Sequence, residues 1–249
     1  YRGSVDVTAK NGDIGSLLLD PENITISSDP FTPTDLAGGV FWFDPSAVGG
    51  VNTTGSNVTQ VNDLITGVGG SNNATQGSAA LQAELLAAGL NGRDVLDFDG
   101  ADGYDMVNNA SINTSGSADR VILVTFRTGA DVASQQYLYE QGGSGNGYSV
   151  YIDGGQLVVA GWRNSGGSWN NYASTAIQPN TTYVAGLNLD STNIDMWVNG
   201  DKYQSFTNAN GQNSHSGGID LGRNGDTRDA GGSLAGCCNF LGQMGEVLQ

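Results

Sequence analysis

Tyr148-Ser149-Val150-Tyr151-Ile152-Asp153-Gly154-Gly155-Gln156-Leu157-Val158-Val159-Ala160-Gly161-Trp162 is the stretch on which the fold reading turns. Residues 148–152 and 156–162 are rich in β-branched, aliphatic and aromatic side chains. Between them lies Asp153-Gly154, a dipeptide suited to the tight turn of an antiparallel hairpin. Similar short runs recur outward in both directions, at 40–43, 58–64, 95–98, 121–127, 137–140, 183–189, 194–198, 219–222 and 242–248. Asn199-Gly200 and Asn224-Gly225 punctuate the later ones. One stretch, 79–88, reads as helical, with Gly89 and Gly92 to end it. Many short strands with almost no helix predict an all-β, two-sheet antiparallel jelly-roll sandwich.

Composition supports that class. Of 249 residues, 39 are Gly, 24 Asn, 22 Ser and 18 Thr, which favour turns and short strands over long helices. Charge is sparse and one-sided, at −16 overall, with two lysines, Lys10 and Lys202. Phosphate backbones require clustered Lys and Arg, so nucleic acid is excluded as a partner. No run of about 18 apolar residues exists, so no helical membrane insertion is expected. The acids are 21 Asp and four Glu, and Asp suits turns and hard-cation sites.

Residues 1–33 stand apart. Val5, Val7, Leu17, Leu18, Leu19, Ile24 and Ile26 mark three short strands, too few to bury a core of their own. Asp29-Pro30-Phe31-Thr32-Pro33 then reads as a linker, because each proline lacks a backbone donor and restricts its predecessor. The domain reading is an accessory strand segment over 1–33 and a jelly-roll domain over 34–249. The apolar side chains of the first segment need a surface to cover, and self-association into an oligomer or fibre is the expectation that follows.

The order of motifs after residue 36 resembles the concanavalin-A-like, laminin-G-like lectin domains of bacterial exported proteins. The resemblance is carried by Asp63-Leu64-Ile65-Thr66-Gly67, Asn73-Ala74-Thr75, Leu90-Asn91-Gly92-Arg93 and Leu96-Asp97-Phe98-Asp99-Gly100. It continues in Gly147-Tyr148-Ser149-Val150, Trp197-Val198-Asn199-Gly200, Ile219-Asp220-Leu221-Gly222-Arg223 and Gly242-Gln243-Met244-Gly245-Glu246-Val247. It departs at Val61-Asn62, where such domains usually carry a Trp. The stretch from Thr8 to Ser28 is similar to coils of filamentous-haemagglutinin-type adhesins. These resemblances imply two packed sheets, a glycan or a surface protein as partner, calcium as cofactor, and an extracellular or cell-surface location.

The residues suggest two sites. Asp97, Asp99, Asp102 and Asp105 are the metal candidates, since calcium takes six to eight oxygens and closely spaced carboxylates repel one another without a cation. The acidic turn Asn224-Gly225-Asp226-Thr227-Arg228-Asp229 is a rival place for the ion. The ligand candidates are Trp169, Asn170, Asn171 and Tyr172, where aromatic faces alternate with amide side chains. Such groups stack on the C–H faces of sugars and bond to their hydroxyls. Trp42, Trp162 and Trp197 lie in strand patterns and read as core. Catalysis is not expected. The single histidine, His215, reads as a solvated loop residue, and Glu22, Glu84, Glu140 and Glu246 show no paired spacing. The Glu-x-Asp-x-(x)-Glu strand of sandwich-shaped β-glucanases is absent. Cys237 and Cys238 are adjacent, and their Cα separation of about 3.8 Å falls below the usual disulfide range. Free thiols, a vicinal bond and inter-subunit bonds all remain open. The function expected is a non-enzymatic extracellular surface protein, adhesive or fibre-building, whose calcium-linked domain binds a glycan or a neighbouring subunit. The alternatives are a filament subunit assembled by strand exchange without glycan binding and a polysaccharide-active enzyme.

Overall fold

The computed structural model describes residues 38–65, 72–106, 112–113, 119–143, 145–163, 172–190, 193–207, 215, 217–225 and 238–249. The chain divides into Tyr1–Thr32 and Pro33–Gln249, and every described residue belongs to the second unit. The accessory strands and proline linker expected over 1–33 lie outside the described residues.

Seventeen strands are found among the described residues. The first seven are β1 (Trp42–Phe43), β2 (Val51–Thr54), β3 (Asn57–Val61), β4 (Ala74–Thr75), β5 (Glu84–Leu90), β6 (Arg93–Asp99) and β7 (Tyr104–Met106). Five more follow as β8 (Arg120–Thr128), β9 (Gln136–Gly142), β10 (Asn146–Asp153), β11 (Gln156–Arg163) and β12 (Tyr172–Ala176). The last are β13 (Thr182–Leu189), β14 (Asn193–Val198), β15 (Asp201–Thr207), β16 (Ile219–Leu221) and β17 (Leu241–Leu248). All pairings are antiparallel. One layer runs β12-β11-β10-β9-β16-β7-β4-β3-β2. The other runs β15-β14-β13-β8-β17-β6-β5, with β1 beside the end of β17. The layers meet where Asn57 of β3 pairs with Glu84 of β5, and where the Ser174 amide donates to Gln204 Oε1. The all-β sandwich expected from sequence is the fold observed.

Period-2 alternation makes the two layers one core. In the first layer, Ala173, Val159, Val150, Tyr139, Leu221 and Tyr104 lie in register across six strands and are all buried in a single cluster. In the second, Val198, Ala185, Val124, Val247 and Phe43 form the facing row, four of them in that cluster and Val198 packed against it. Tyr137, Tyr151, Val158 and Ala160 make a smaller apolar cluster on the outer face of the first layer. The Tyr137 and Tyr151 rings stack there at 4.8 Å. Cys238 packs against this cluster and is disulfide-bonded.

The helix expected at 79–88 is corrected. Ala79–Leu81 forms one 3-10 turn and Glu84–Leu90 is strand. Asn91 (φ 50°) and Gly92 (φ 78°) hold consecutive positive φ values, the two-residue turn that favours a twisted hairpin. That turn pairs β5 with β6 and overrides the weak helix preference of the alanines. Trp42 and Trp197 are also displaced from expectation: both lie on the outer face of the second layer rather than in the core. Phe41 and Phe43, which flank Trp42, take the inward positions.

Gly222 shows how tightly the layers are fitted. It sits at φ +74°, and a Cβ there would lie 2.2 Å from Cε1 of the buried Phe98. Gly222→Ala combines backbone strain with over-packing and costs roughly 3 kcal/mol. Thermal melting is expected to fall by roughly 6–12 °C at this domain size. A melt within two degrees of the parent would contradict the packing described.

Candidate functional site

One residue away from the core row of the first layer runs its outward counterpart: Tyr172, Ala160, Ser149, Glu140, Asp220 and Asp105. Three carboxylates thus stand side by side on β9, β16 and β7. Glu140 is fully buried and Asp220 is 3% exposed, whereas the Asp105 side chain is 60% exposed. Like charges directly opposite one another on neighbouring strands are destabilising. A counter-charge is therefore needed, and the chain provides it three residues after Asp220.

Gly222 turns the chain at the end of β16, and Arg223 folds back over the row. Its Nε donates to Asp220 Oδ1 at 2.6 Å, and its Nη2 donates to Asp105 Oδ1. The amide of Gly225 donates to Glu140 Oε1 at 3.3 Å. Two glycines make room for this arrangement. A Cβ on Gly103 would lie 2.5 Å from Arg223 Cδ, and one on Gly225 would lie 2.4 Å from Asp220 Oδ2. Desolvation lowers the Arg223 pKa, but its bonds to Asp220 and Asp105 and their charges win and raise it. Desolvation first, then its hydrogen bond with Asp220, pushes the Asp105 pKa up against the opposing pull of Arg223.

Above this floor lies a cleft of about 300 Å³. Its walls are Gln76, Leu81, Ala101, Gly103, Arg223, Asn224, Gly225 and Asn239. Asn239 Nδ2 bonds to Ala101 O, and Gln76 Nε2 bonds to Gly103 O at 2.6 Å. The loop at 99–103 is thereby held open from both sides. The cleft presents two apolar side chains, Leu81 and Ala101, among amides and a fixed cation. That mixture suits a small polar ligand with an apolar face.

The structure separates the four aspartates. Asp97 lies on the second layer, opposite Gln243 and Glu84. Asp99 and Asp102 close their own turn: Asp99 Oδ1 accepts from the Ala101 amide and Asp102 Oδ2 from the Asp99 amide. Desolvation, opposed by that amide bond and reinforced by the charges of Asp99 and Asp97, raises the Asp102 pKa. Asp105 alone joins the carboxylate row. Among the described residues, no three His, Cys, Asp or Glu side chains are gathered to hold a metal ion. Two segments distant in sequence, the 99–105 turn and the start of the 224–229 turn, do meet in the cleft. Of the ligand candidates, Trp169, Asn170 and Asn171 lie outside the described residues. Tyr172 is 41% exposed and shares the outward face with Asp105, five strand spacings away, or about 24 Å. Sequence reasoning missed Arg223, Asn239, Gln76 and Leu81. Only Arg223 left a signal, as one of nine bases in a strongly acidic chain.

His215 is half-buried rather than solvated. Its Nε2 lies 2.9 Å from Gln141 Nε2, and its ring packs edge-on against Tyr148. Gln141 also accepts from Tyr139 and Tyr148, so the histidine belongs to a buried polar network. Desolvation pushes the Tyr148 phenol up to about 12.

No family model and no curated protein matches the chain. Solved structures do share its fold. The binding domain of Paraclostridial Mosquitocidal Protein 1 aligns at a TM-score of 0.57 and 14% identity, over 88% of this chain and 48% of that one. A Trypanosoma rangeli sialidase in complex with sialic acid aligns at 0.53 and 14%, over 86% of this chain and 31% of that one. The CBM40 of a Ruminococcus gnavus IT-sialidase, bound to α2,6-sialyllactose, aligns at 0.49 and 14%, over 62% and 88%. This chain spans less than half the length of the first two.

Arg223 governs the electrostatics of the row. Arg223→Met leaves Asp220 buried without its counter-charge. The loss is about 2 kcal/mol at neutral pH, below the roughly 3–5 of a fully buried pair because Asp105 is largely solvated. Asp105→Asn keeps an acceptor for Arg223 and removes a charge. An acid whose pKa is raised on folding stabilises the fold in acid, and that contribution is lost as pH rises through the raised value. Asp105→Asn should therefore flatten the decline in melting temperature as pH rises above the ordinary aspartate range. An unaltered slope would show that Asp105 is not under the strain assigned to it.

Proposed function

We propose that this chain is a non-enzymatic extracellular or cell-surface protein whose sandwich domain binds a neutral glycan in the Arg223 cleft. The observation that carries this reading is the cleft's wall chemistry. Leu81 and Ala101 offer apolar contact for the C–H face of a sugar ring, and the Asn239 side-chain amide, which bonds to Ala101 O, stands beside them for a hydroxyl. Arg223 is already charge-matched by two carboxylates, so the site adds no net positive charge for an anion. That favours neutral sugars over acidic ones in a chain of net charge −16. The fold relatives support a sugar ligand in general and not the preference for neutral ones: one is named as the binding domain of a mosquitocidal protein, and another was solved with sialic acid, an acidic sugar. The laminin-G-like resemblance and the adhesin-like residues 8–28 belong to the same proposal, with adhesion to a glycan-bearing surface as the role.

Two features are proposed with it. Calcium acts as a stabiliser of the turns and not as a bridge to the sugar, since Asp99, Asp102 and Asp105 already accept from protein donors. Residues 1–33 mediate self-association through the apolar side chains of Val5, Val7, Leu17, Leu18, Leu19, Ile24 and Ile26.

A glycan array probed with the full chain tests the reading. Binding to neutral glycans is expected, with Asn239→Ala weakening it about tenfold, the loss of one well-placed polar contact. Excess chelator should lower the melting temperature by several degrees while glycan binding at 20 °C persists. Retention of acidic glycans alone, or full binding by Asn239→Ala, would overturn the assignment of the cleft.

A further inference from the structure

The outer face of the second layer carries a feature that the cleft does not use. Register places Trp197 of β14 opposite Gly186 of β13, Gly186 opposite Leu123 of β8, Leu123 opposite Leu248 of β17, and Leu248 opposite Trp42 of β1. These five residues form one row across five strands, with a tryptophan at each end. Their neighbours in sequence, Ile122, Val124, Ala185, Leu187, Met196, Val247, Phe41 and Phe43, are buried in the core, so the row faces away from it. Trp197 is 37% exposed, and Leu123, Leu248 and Trp42 are each partly exposed.

Gly186 keeps the row low. A Cβ there would lie 3.0 Å from Trp197 Cβ and 3.1 Å from Leu123 Cδ2, so the absence of a side chain lets the two neighbours close over the backbone. Beside the row stands a polar one. Asp195, 7% exposed, accepts from Lys202 Nζ at 2.8 Å, from Ser205 Oγ and from Asn188 Nδ2. Burial pulls the Asp195 pKa up, but these donors and the Lys202 charge prevail and hold it below the usual carboxylate range. The fixed Asp195–Lys202 pair makes this flank locally neutral in an acidic protein. A β-bulge between Met196 and Trp197 leaves Tyr203 as the extra residue of β15, and it is 56% exposed.

The row spans four strand spacings, about 19 Å, and is one residue wide, about 7 Å. Its area of roughly 130 Å² is far below the roughly 800 Å² per partner of a stable protein interface. A narrow apolar lane ending in exposed indole, with hydroxyl, amide and ammonium groups along one side, matches a ribbon-shaped ligand. We infer that the Trp42–Trp197 row is a second binding surface, separate from the Arg223 cleft, for an extended chain of a neutral polysaccharide. Sugar rings lie flat along the row, their C–H faces on Trp197 and Leu123, and their hydroxyls toward Asn188, Lys202 and Ser205. Two glycan surfaces on one domain would give the protein avidity for a polysaccharide coat without any oligomer.

Depletion from solution by insoluble cellulose, chitin, xylan and mannan, using the full chain, tests this directly. At least one polymer should retain the parent, and Trp197→Ala should lower its partition constant about tenfold. Trp197→Phe keeps an aromatic plate and should retain most of the binding, which guards against a folding artefact. Asn239→Ala, in the cleft, should weaken binding of short glycans about tenfold, whereas Trp197→Ala weakens retention on the polymer, so the two surfaces fail separately. The inference is overturned if no polymer retains the parent, or if Trp197→Ala binds as well. It is also overturned if the parent sediments as a dimer that Trp197→Ala dissolves, since the row would then be an interface between copies.

Discussion

Everything around the cleft depends on one electrostatic constraint: three carboxylates standing abreast on β9, β16 and β7 must be neutralised where water is largely excluded. Like charges one strand spacing apart oppose sheet formation, and two of these are buried. Arg223 resolves the conflict for Asp220 and Asp105 by spanning them, and the Gly225 amide donates a hydrogen bond to Glu140. The geometry of residues 222–225 follows from that requirement. Gly222 must turn the chain, Gly225 must approach Asp220 closely, and Gly103 must leave space for the arginine stem. The cleft is the volume left over when these conditions are met, which is why its walls come from sequence segments more than 100 residues apart.

The core imposes the complementary constraint. Alternation assigns Tyr104, Leu221, Tyr139 and Val150 to the interior, so Asp105, Asp220, Glu140 and Ser149 have no choice but the opposite face. A one-residue slip of β16 would bury the acid in the core and expel Leu221. Register, hydrophobic burial and the carboxylate row are therefore one determination and not three. The same logic on the second layer puts Trp42 and Trp197 outside, because their flanking residues hold the inward positions.

Much of the fold was legible because its strongest strands are amphipathic or wholly apolar. Each of the eleven runs read from sequence lies on an observed strand, displaced by a few residues at most. The strands that escaped are of a different kind. Asp201–Thr207 is polar and exposed wherever its side chains are described, and Ala74–Thr75 and Tyr104–Met106 are too short to show a period. Glu84–Leu90 looked helical because alanines and leucines carry no β signal, and only the Asn91-Gly92 turn dictates its pairing. The candidate site was half legible. Asp105 and the turn beginning at Asn224 were singled out, yet what joins them is an arginine whose role depends on tertiary register. Asn239 and Gln76 gave no local sign, since an amide that braces a loop looks in sequence like any other amide.

The account rests on the Arg223 cleft as the place where a sugar binds. Amide chemical-shift mapping in the ¹⁵N-labelled full chain, titrated with a neutral oligosaccharide retained on the array, tests that claim most directly. The account predicts that the largest saturable shifts fall on Gly103, Arg223, Asn224, Gly225 and the side-chain amide of Asn239, with β1, β13 and β14 moving only for longer chains. Saturable shifts confined to other faces of the domain, with these five residues unmoved, would contradict it.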